Sequence, residues 1–472
     1  MKKLLLVYPN QRWLKNDIVT TWNLNPYTLC LLAAMVKNDV TVKIVDAQFY
    51  DMSVADFRKS VEEYAPDYVG ISVLTSEYAG ILDIAAEAVK QVNPHAVVIA
   101  GGVHVTMEYQ TVMQNHDVDY AIRGEGEYVL ADLVRYLNGT ASFPNEGIVY
   151  RENNQIIALS QAFVEDISKL PWPDYSLINL SDYLNTGPRL GPLRPPEFPY
   201  MRMIVTRGCP FGCSFCQVEV LSGRQVRARD AVDVVNEIIY YKETYGIKSV
   251  VFDDDNIIMA REFFIQMLQL LISKQVGVKF IFQSFALFLL DKDTLDLMAK
   301  AGCVGLNVSI ESGNKRVLKE IVQKPSGALD KAIEVIRQIR EKGLFCSASF
   351  VIGFPSETWE EIRETIRFAE ICGADYIKIF VAVPLRGTKL WNYAVQHNAF
   401  IDPDNIKVDW RFSQIKSDEW TSQDVSILRA YEWDRINFAT QEKRKRVAEL
   451  WGINEEELFH IRKETRDSLI FK

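Results

Sequence analysis

The chain has 472 residues, 48% of them hydrophobic and 24% charged, with seven cysteines and a net charge of −9. Such a length suits two or three domains, and the composition is that of a globular protein with ample core. The acidic balance argues against broad electrostatic binding of nucleic acid, and the cysteine usage suits a reducing cytoplasm better than a disulfide framework. The apolar run that opens the chain ends after five residues at Pro9 with no cleavage pattern, so a buried first strand is expected there rather than a signal peptide. The longest later apolar stretch, residues 285–290, is too short for a membrane span.

Residues 1–140 alternate two patterns. Short apolar runs rich in β-branched residues (3–8, 42–45, 68–73, 96–100 and 120–123) read as strands. Residues 26–37, 54–64, 78–91 and 127–137 carry apolar side chains at helical spacing. Strand–helix alternation predicts an α/β fold with a doubly wound parallel sheet, which binds ligands at the carboxyl ends of its strands. The loops at those ends are Pro9-Asn10, Ser72-Val-Leu-Thr75, Gly101-Gly-Val-His104 and Gly124-Glu-Gly-Glu127. Their glycines permit close backbone approach to a large ligand, with tight-turn chemistry the alternative at any one loop. No G-x-G-x-x-G follows the first strand, so a nicotinamide or flavin dinucleotide is not favoured.

Residues 141–200 read as a connector, with a hairpin at 148–158 around an Asn-Asn turn and five prolines between Gly187 and Pro199. Alternation resumes over 201–400. Strands are expected at 203–206, 249–252, 279–283, 305–310, 346–352 and 377–383, with helices at 231–245, 262–274, 293–301, 329–342 and 359–372. Six βα units suit a partial barrel whose functional residues sit at the carboxyl ends of its strands. Residues 401–472 read as a charged helical tail in which Trp410, Trp420, Trp433 and Trp451 serve as docking anchors.

The most specific signal follows the first of those strands. Cys209, Cys213 and Cys216 lie in one loop, Gly208-Cys-Pro-Phe-Gly-Cys-Ser-Phe-Cys. Thiolates suit iron–sulfur clusters, and a four-iron cluster normally takes four of them. The next cysteine is Cys303, and no histidine lies between His116 and His397, so one iron would stay open to a substrate or cofactor. A structural zinc site needs a closed set of four ligands, which this loop cannot complete locally.

With this loop on a βα barrel, the chain resembles the radical S-adenosylmethionine (SAM) superfamily. The resemblance implies that Cys209, Cys213 and Cys216 bind a 4Fe-4S cluster, with Phe215 in the family's aromatic place before the third cysteine. It implies that SAM chelates the open iron and is cleaved reductively to a 5′-deoxyadenosyl radical. Asp254, Asp255 and Asn256 match the second-strand motif beside the methionine amino group. Ser309 and Glu311 match the fourth-strand polar pair, and the turn from Gly353 through Pro355 matches the one that holds adenine. The N-terminal region is similar to the cobalamin-binding domain of the cobalamin-dependent subgroup, a Rossmann-like (flavodoxin-like) fold. Cobalamin contacts are then expected from Pro9, Ser72, Thr75, Gly101, Gly102, His104, Gly124, Glu125 and Gly126. The chain lacks D-x-H-x-x-G, so no lower axial histidine is expected on cobalt.

The resemblance implies an enzyme, foremost a methyltransferase that activates an unactivated carbon by the radical and takes its methyl group from methylcobalamin. A cyclase, oxidase or rearrangement enzyme with the same cofactors is the alternative, and a non-catalytic cobalamin- or cluster-binding regulator the alternative of another class. A tRNA methylthiotransferase would need three more N-terminal cysteines, and only Cys30 precedes Cys209. The partners expected are a small-molecule or biosynthetic-intermediate substrate and an external electron donor such as a flavodoxin or ferredoxin. Arg386, Tyr183 and Arg189 are candidates for the barrel mouth, with a structural or solvent-facing place the alternative for each.

Overall fold

The computed structural model describes residues 1–14, 24–186, 195–403, 406 and 412–467, and the chain divides into two compact units, Met1–Pro188 and Arg189–Lys472. In the first, β1 (Lys3–Tyr8), β2 (Thr41–Asp46), β3 (Tyr68–Ser72), β4 (Val97–Gly101) and β5 (Tyr120–Ile122) run parallel in the order β2-β1-β3-β4-β5. This is the flavodoxin-like order, which reverses between β1 and β3. Helices cover both faces, so the strands are apolar throughout: Leu4, Leu5, Leu6 and Val7 are fully buried. The helix Val54–Tyr64 starts at a Ser53–Asp56 capping box and buries Phe57 and Val61.

Two features of this unit depart from the sequence reading. A helix, Val103–Val112, occupies a stretch read only as loop at His104. Its buried residues, His104, Val105, Thr106 and Val112, form no regular stripe, and it kinks at Glu108, so periodicity could not reveal it. The hairpin β6 (Ile148–Glu152) and β7 (Gln155–Ala158) turns through Asn153 and Asn154, both at positive φ. It belongs to the first sheet: β6 pairs antiparallel with β5, Tyr120 facing Tyr150, and makes a seven-stranded sheet.

In the second unit, β8 (Tyr200–Met203), β11 (Ser249–Phe252), β12 (Lys279–Phe285), β13 (Cys303–Glu311), β14 (Phe345–Ile352) and β15 (Tyr376–Val381) are parallel and adjacent in chain order. A two-residue ribbon, β9 (Thr206–Arg207) with β10 (Arg227–Ala228), stands apart. Among the described residues β8 and β15 do not pair, so the sheet is an open, partial (β/α)6 barrel. One face carries Phe252, Phe280 and Phe282, and Phe264 of the helix Arg261–Ser273 packs on Phe282 at 5.4 Å between ring centroids. The strand expected at 203–206 instead ends at Met203, because Asp254 takes the backbone N–H groups of Val205 and Thr206 out of the ladder.

The tail forms the helices Ser422–Phe438, Gln441–Trp451 and Glu455–Asp467. Asn437 of the first accepts from Ile377 N and donates to Ile377 O, each at 2.8 Å, covering the exposed edge of β15. Trp420 and Trp451 are buried, and Trp433 donates to the Tyr376 hydroxyl at 2.7 Å. Trp410 and Arg189 lie outside the described residues. Among the described residues no helix is long and apolar enough to cross a membrane.

Candidate functional site

All six strands of the second sheet end on one side, and the cysteine loop leaves β8 there. Gly208 sits at φ 91°, where a Cβ would meet Gln225 O at 2.2 Å, so only glycine fits. Cys209 N donates to Gly223 O at 3.2 Å and Ser214 N to Val322 O at 2.9 Å. Leu390 N donates to Ser214 O at 2.8 Å and Lys389 Nζ to Gly212 O at 3.0 Å. The loop is thus held from the π-helical turn Val317–Val322, which the sequence did not announce, and from the helix Lys389–Gln396.

The three thiols are free and partly buried. Burial pushes the Cys213 thiol up to about 11 and Cys216 up to about 12, and charge on a neighbouring cysteine of the loop adds to both shifts. Lys324 pulls Cys213 the other way. Three thiols within electrostatic reach of each other match a polynuclear cluster, in which each thiolate has its own iron. Among the described residues no three His, Cys, Asp or Glu side chains close on a single ion. Cys303 and Cys346 begin β13 and β14, at the opposite end of the sheet, so neither completes a zinc set with this loop.

The acidic loop after β11 braces the cysteine loop from below. Asp254 Oδ1 accepts from Val205 N and Thr206 Oγ1, each at 2.8 Å, and burial pushes its carboxyl up to about 7. Asp255 Oδ2 accepts from Gly208 N at 3.0 Å, and Asn256 Oδ1 from Ala286 N at 3.2 Å. Ser309 and Glu311 end β13, Glu311 at a left-handed φ of 74°. Lys324, which no motif signalled, donates to Ser309 O at 2.6 Å and Glu311 Oε1 at 3.1 Å in a buried ion pair. Ser309 and Lys324 also line a small cleft with Leu287 and Phe288.

At the end of β14, Gly353 N and Phe354 N both donate to Glu357 Oε2, at 2.7 and 3.0 Å. Gly353 has φ 81°, and a Cβ there would press on Val425 at 2.8 Å. Trp420 Nε1 donates to Glu357 O at 2.8 Å, so the tail supports this turn. The Phe215 ring packs 6.0 Å from Phe354, bringing the cysteine loop and the Gly353–Pro355 turn together. Arg386 lies over the Trp391 ring at 4.4 Å.

In the first unit, Pro9, Ser72, Gly101 and Gly124 follow or end β1, β3, β4 and β5 on one edge of the sheet. Gly102 and Gly124 are demanded by the chain itself, since their Cβ atoms would meet Val73 O at 2.5 Å and Ala162 O at 2.2 Å. Gly101 faces open space. Thr75 caps the short turn Ser76–Tyr78, and the Glu125 carboxylate accepts from Val164 N. Gly126 precedes the helix Glu127–Leu137. His104 is buried, its Nδ1 lies 3.3 Å from Ser76 Oγ, and burial drives it down to about 4, so the ring is neutral. At the same edge Gln11 Oε1 and Gln48 Nε2 are buried without partners among the described residues, an acceptor and a donor of the kind a ligand rich in amides would engage. Tyr183 is structural: it donates to buried Asp46 at 3.1 Å within this unit.

A parallel (β/α)6 sheet with a three-thiol loop on its first strand, joined in one chain to a flavodoxin-like domain, defines the class. The family model for the radical SAM superfamily matches residues 203–369, and that for the B12 binding domain matches residues 21–134. The chain belongs to the cobalamin-binding radical SAM enzymes, whose cofactors are a 4Fe-4S cluster, SAM and cobalamin. It is 29% identical to an uncharacterized methyltransferase of Pyrococcus horikoshii over 91% of this chain and 90% of that one. It is 27% identical to the cytidylyl-2-hydroxyethylphosphonate methyltransferase of Streptomyces wedmorensis, over 85% and 83% of the two chains. Its fold matches the cobalamin-dependent SAM radical enzyme OxsB at a TM-score of 0.73 and 14% identity, covering 99% of this chain and 72% of that one.

Proposed function

We propose that this enzyme methylates an unactivated carbon of a small-molecule biosynthetic intermediate, with Cys209, Cys213 and Cys216 as the cluster ligands. The observation that carries this is the three-thiol loop at the carboxyl end of β8 in a chain that also holds a B12 binding domain. Similarity to two methyltransferases along most of their lengths supports methyl transfer as the outcome. When bound, the cluster and SAM supply hydrogen abstraction from carbon, and cobalamin supplies the methyl group.

The chain's own residues orient and shield. Asp254 and Asp255 fix the backbone that carries the thiols. Asn256, Ser309 and Glu311 present polar groups to SAM, with the Glu311 carboxylate held in place by its ion pair with Lys324. Phe215, Gly353 and Pro355 wall the adenine side, and Glu357 rigidifies that wall from behind. The edge formed by Pro9, Ser72, Thr75, Gly101, Gly102, His104, Gly124, Glu125 and Gly126 receives cobalamin, with the neutral His104 as a packing group. A cluster bound there would take its electron from an external one-electron donor such as a flavodoxin or ferredoxin. Anaerobic turnover with methyl-labelled SAM tests the reading: label in a product carbon supports it, and a product formed without label points to cyclisation or oxidation and overturns it.

A further inference from the structure

The second sheet has a helix-packed phenylalanine face and, on alternate residues, a face turned away from those helices. Register places Ser309, Ser349 and Lys378 side by side on the second face, with Asn307 and Ser347 paired one step below. Ser347 Oγ and Ser349 Oγ both donate to Asn307 Oδ1, at 2.7 and 3.2 Å. The Asn307 oxygen is therefore committed, and its NH₂ group makes no hydrogen bond among the described residues. Lys378 likewise has neither a hydrogen bond nor an ion pair among them. On the same face Arg202 is neutralised by Asp253. Lys324 is neutralised by Glu311. Lys378 is left uncompensated, and burial alone pulls its ammonium down to about 8, with no acid opposing the shift.

A partly buried cation with no counter-charge, on the same face as an unpaired amide NH₂ group two strands away and with only the Ser347 and Ser349 hydroxyls between, is a costly arrangement unless an anion completes it. We propose that Lys378 and Asn307 bind an anionic oxygen group of the substrate, a phosphonate, phosphate or carboxylate. The proposal rests on reading this barrel as the catalytic one. It makes the substrate an acid, held by its charged end on β13 to β15.

Thermal unfolding of the full-length, iron-loaded protein tests it, with methylphosphonate and acetate as probes and sodium chloride at matched ionic strength as control. Wild type is expected to gain stability saturably with at least one probe, and the stronger probe assigns phosphonate-type or carboxylate-type recognition. Lys378→Met removes the unpaired charge, so it should unfold no earlier than wild type without anion and respond no more than to chloride. Asn307→Ala, which keeps the cation, should need at least threefold more probe for the same shift. Equal responses in wild type and both variants, or none in wild type beyond chloride, overturn the site. Release of 5′-deoxyadenosine from SAM and reductant is followed in the same preparations. If it persists without an anion response, the site alone falls; an anion response without it removes the radical reading instead.

Discussion

Cys213 lies between the other two thiols in sequence, and its own backbone segment is tied to Val322 and Leu390 rather than to the sulfur atoms. Replacing the sulfur should therefore cost the cluster and spare the fold. Cys213→Ala is expected to drop iron from about four per chain to below one, with an unchanged far-ultraviolet dichroism spectrum. Full iron retention would remove Cys213 from the ligand set. Glu357 poses a different question, because its carboxyl is 1% exposed and burial pushes it up to about 8. A folded-state value above the unfolded one means that stability is fully present below about 4.5 and lost as pH rises towards 8. Glu357→Gln keeps an oxygen for Gly353 N and Phe354 N but carries no charge. Urea unfolding at about pH 5 and pH 8 should show the variant gaining on wild type, by an amount on the order of a few kcal/mol. A difference independent of pH would contradict the assignment.

At the scale of elements, the tail helix Ser422–Phe438 does for β15 what a seventh strand would do. Asn437→Ala strips both hydrogen bonds from Ile377 and leaves a buried N–H and C=O unpaired, so a loss of about 2–4 kcal/mol is expected in urea unfolding. A loss under about 0.5 kcal/mol would mean that the edge is covered some other way. Five of the six strands of this sheet were legible because each is a short apolar run bounded by turn residues, and the cysteine spacing pointed to an iron–sulfur cluster. Other parts depended on pairings between distant residues. The hairpin at 148–158 was recognisable as a hairpin, but its place against β5 is a tertiary fact. The end of β8 was misplaced because Asp254, about fifty residues on, redirects the backbone at Val205. Lys324 and Lys378 carry no motif: one lysine in a loop and one in Tyr376–Val381 acquire meaning only from what surrounds them.

For the whole molecule, two units bring together two kinds of cofactor chemistry in one chain, and each unit has a run of parallel strands, five in the first and six in the second, whose ends collect its polar loops. The division of labour makes a joint claim: the second unit activates carbon, and the first supplies the methyl group. The most direct test is anaerobic incubation of the iron- and cobalamin-loaded full chain with SAM and a one-electron reductant, measuring 5′-deoxyadenosine against a Cys209→Ala, Cys213→Ala, Cys216→Ala triple variant. Formation of 5′-deoxyadenosine by the wild type and its loss in the variant is the outcome expected of a radical SAM enzyme using this loop. No 5′-deoxyadenosine from fully loaded wild type, or equal amounts from the variant, would contradict it.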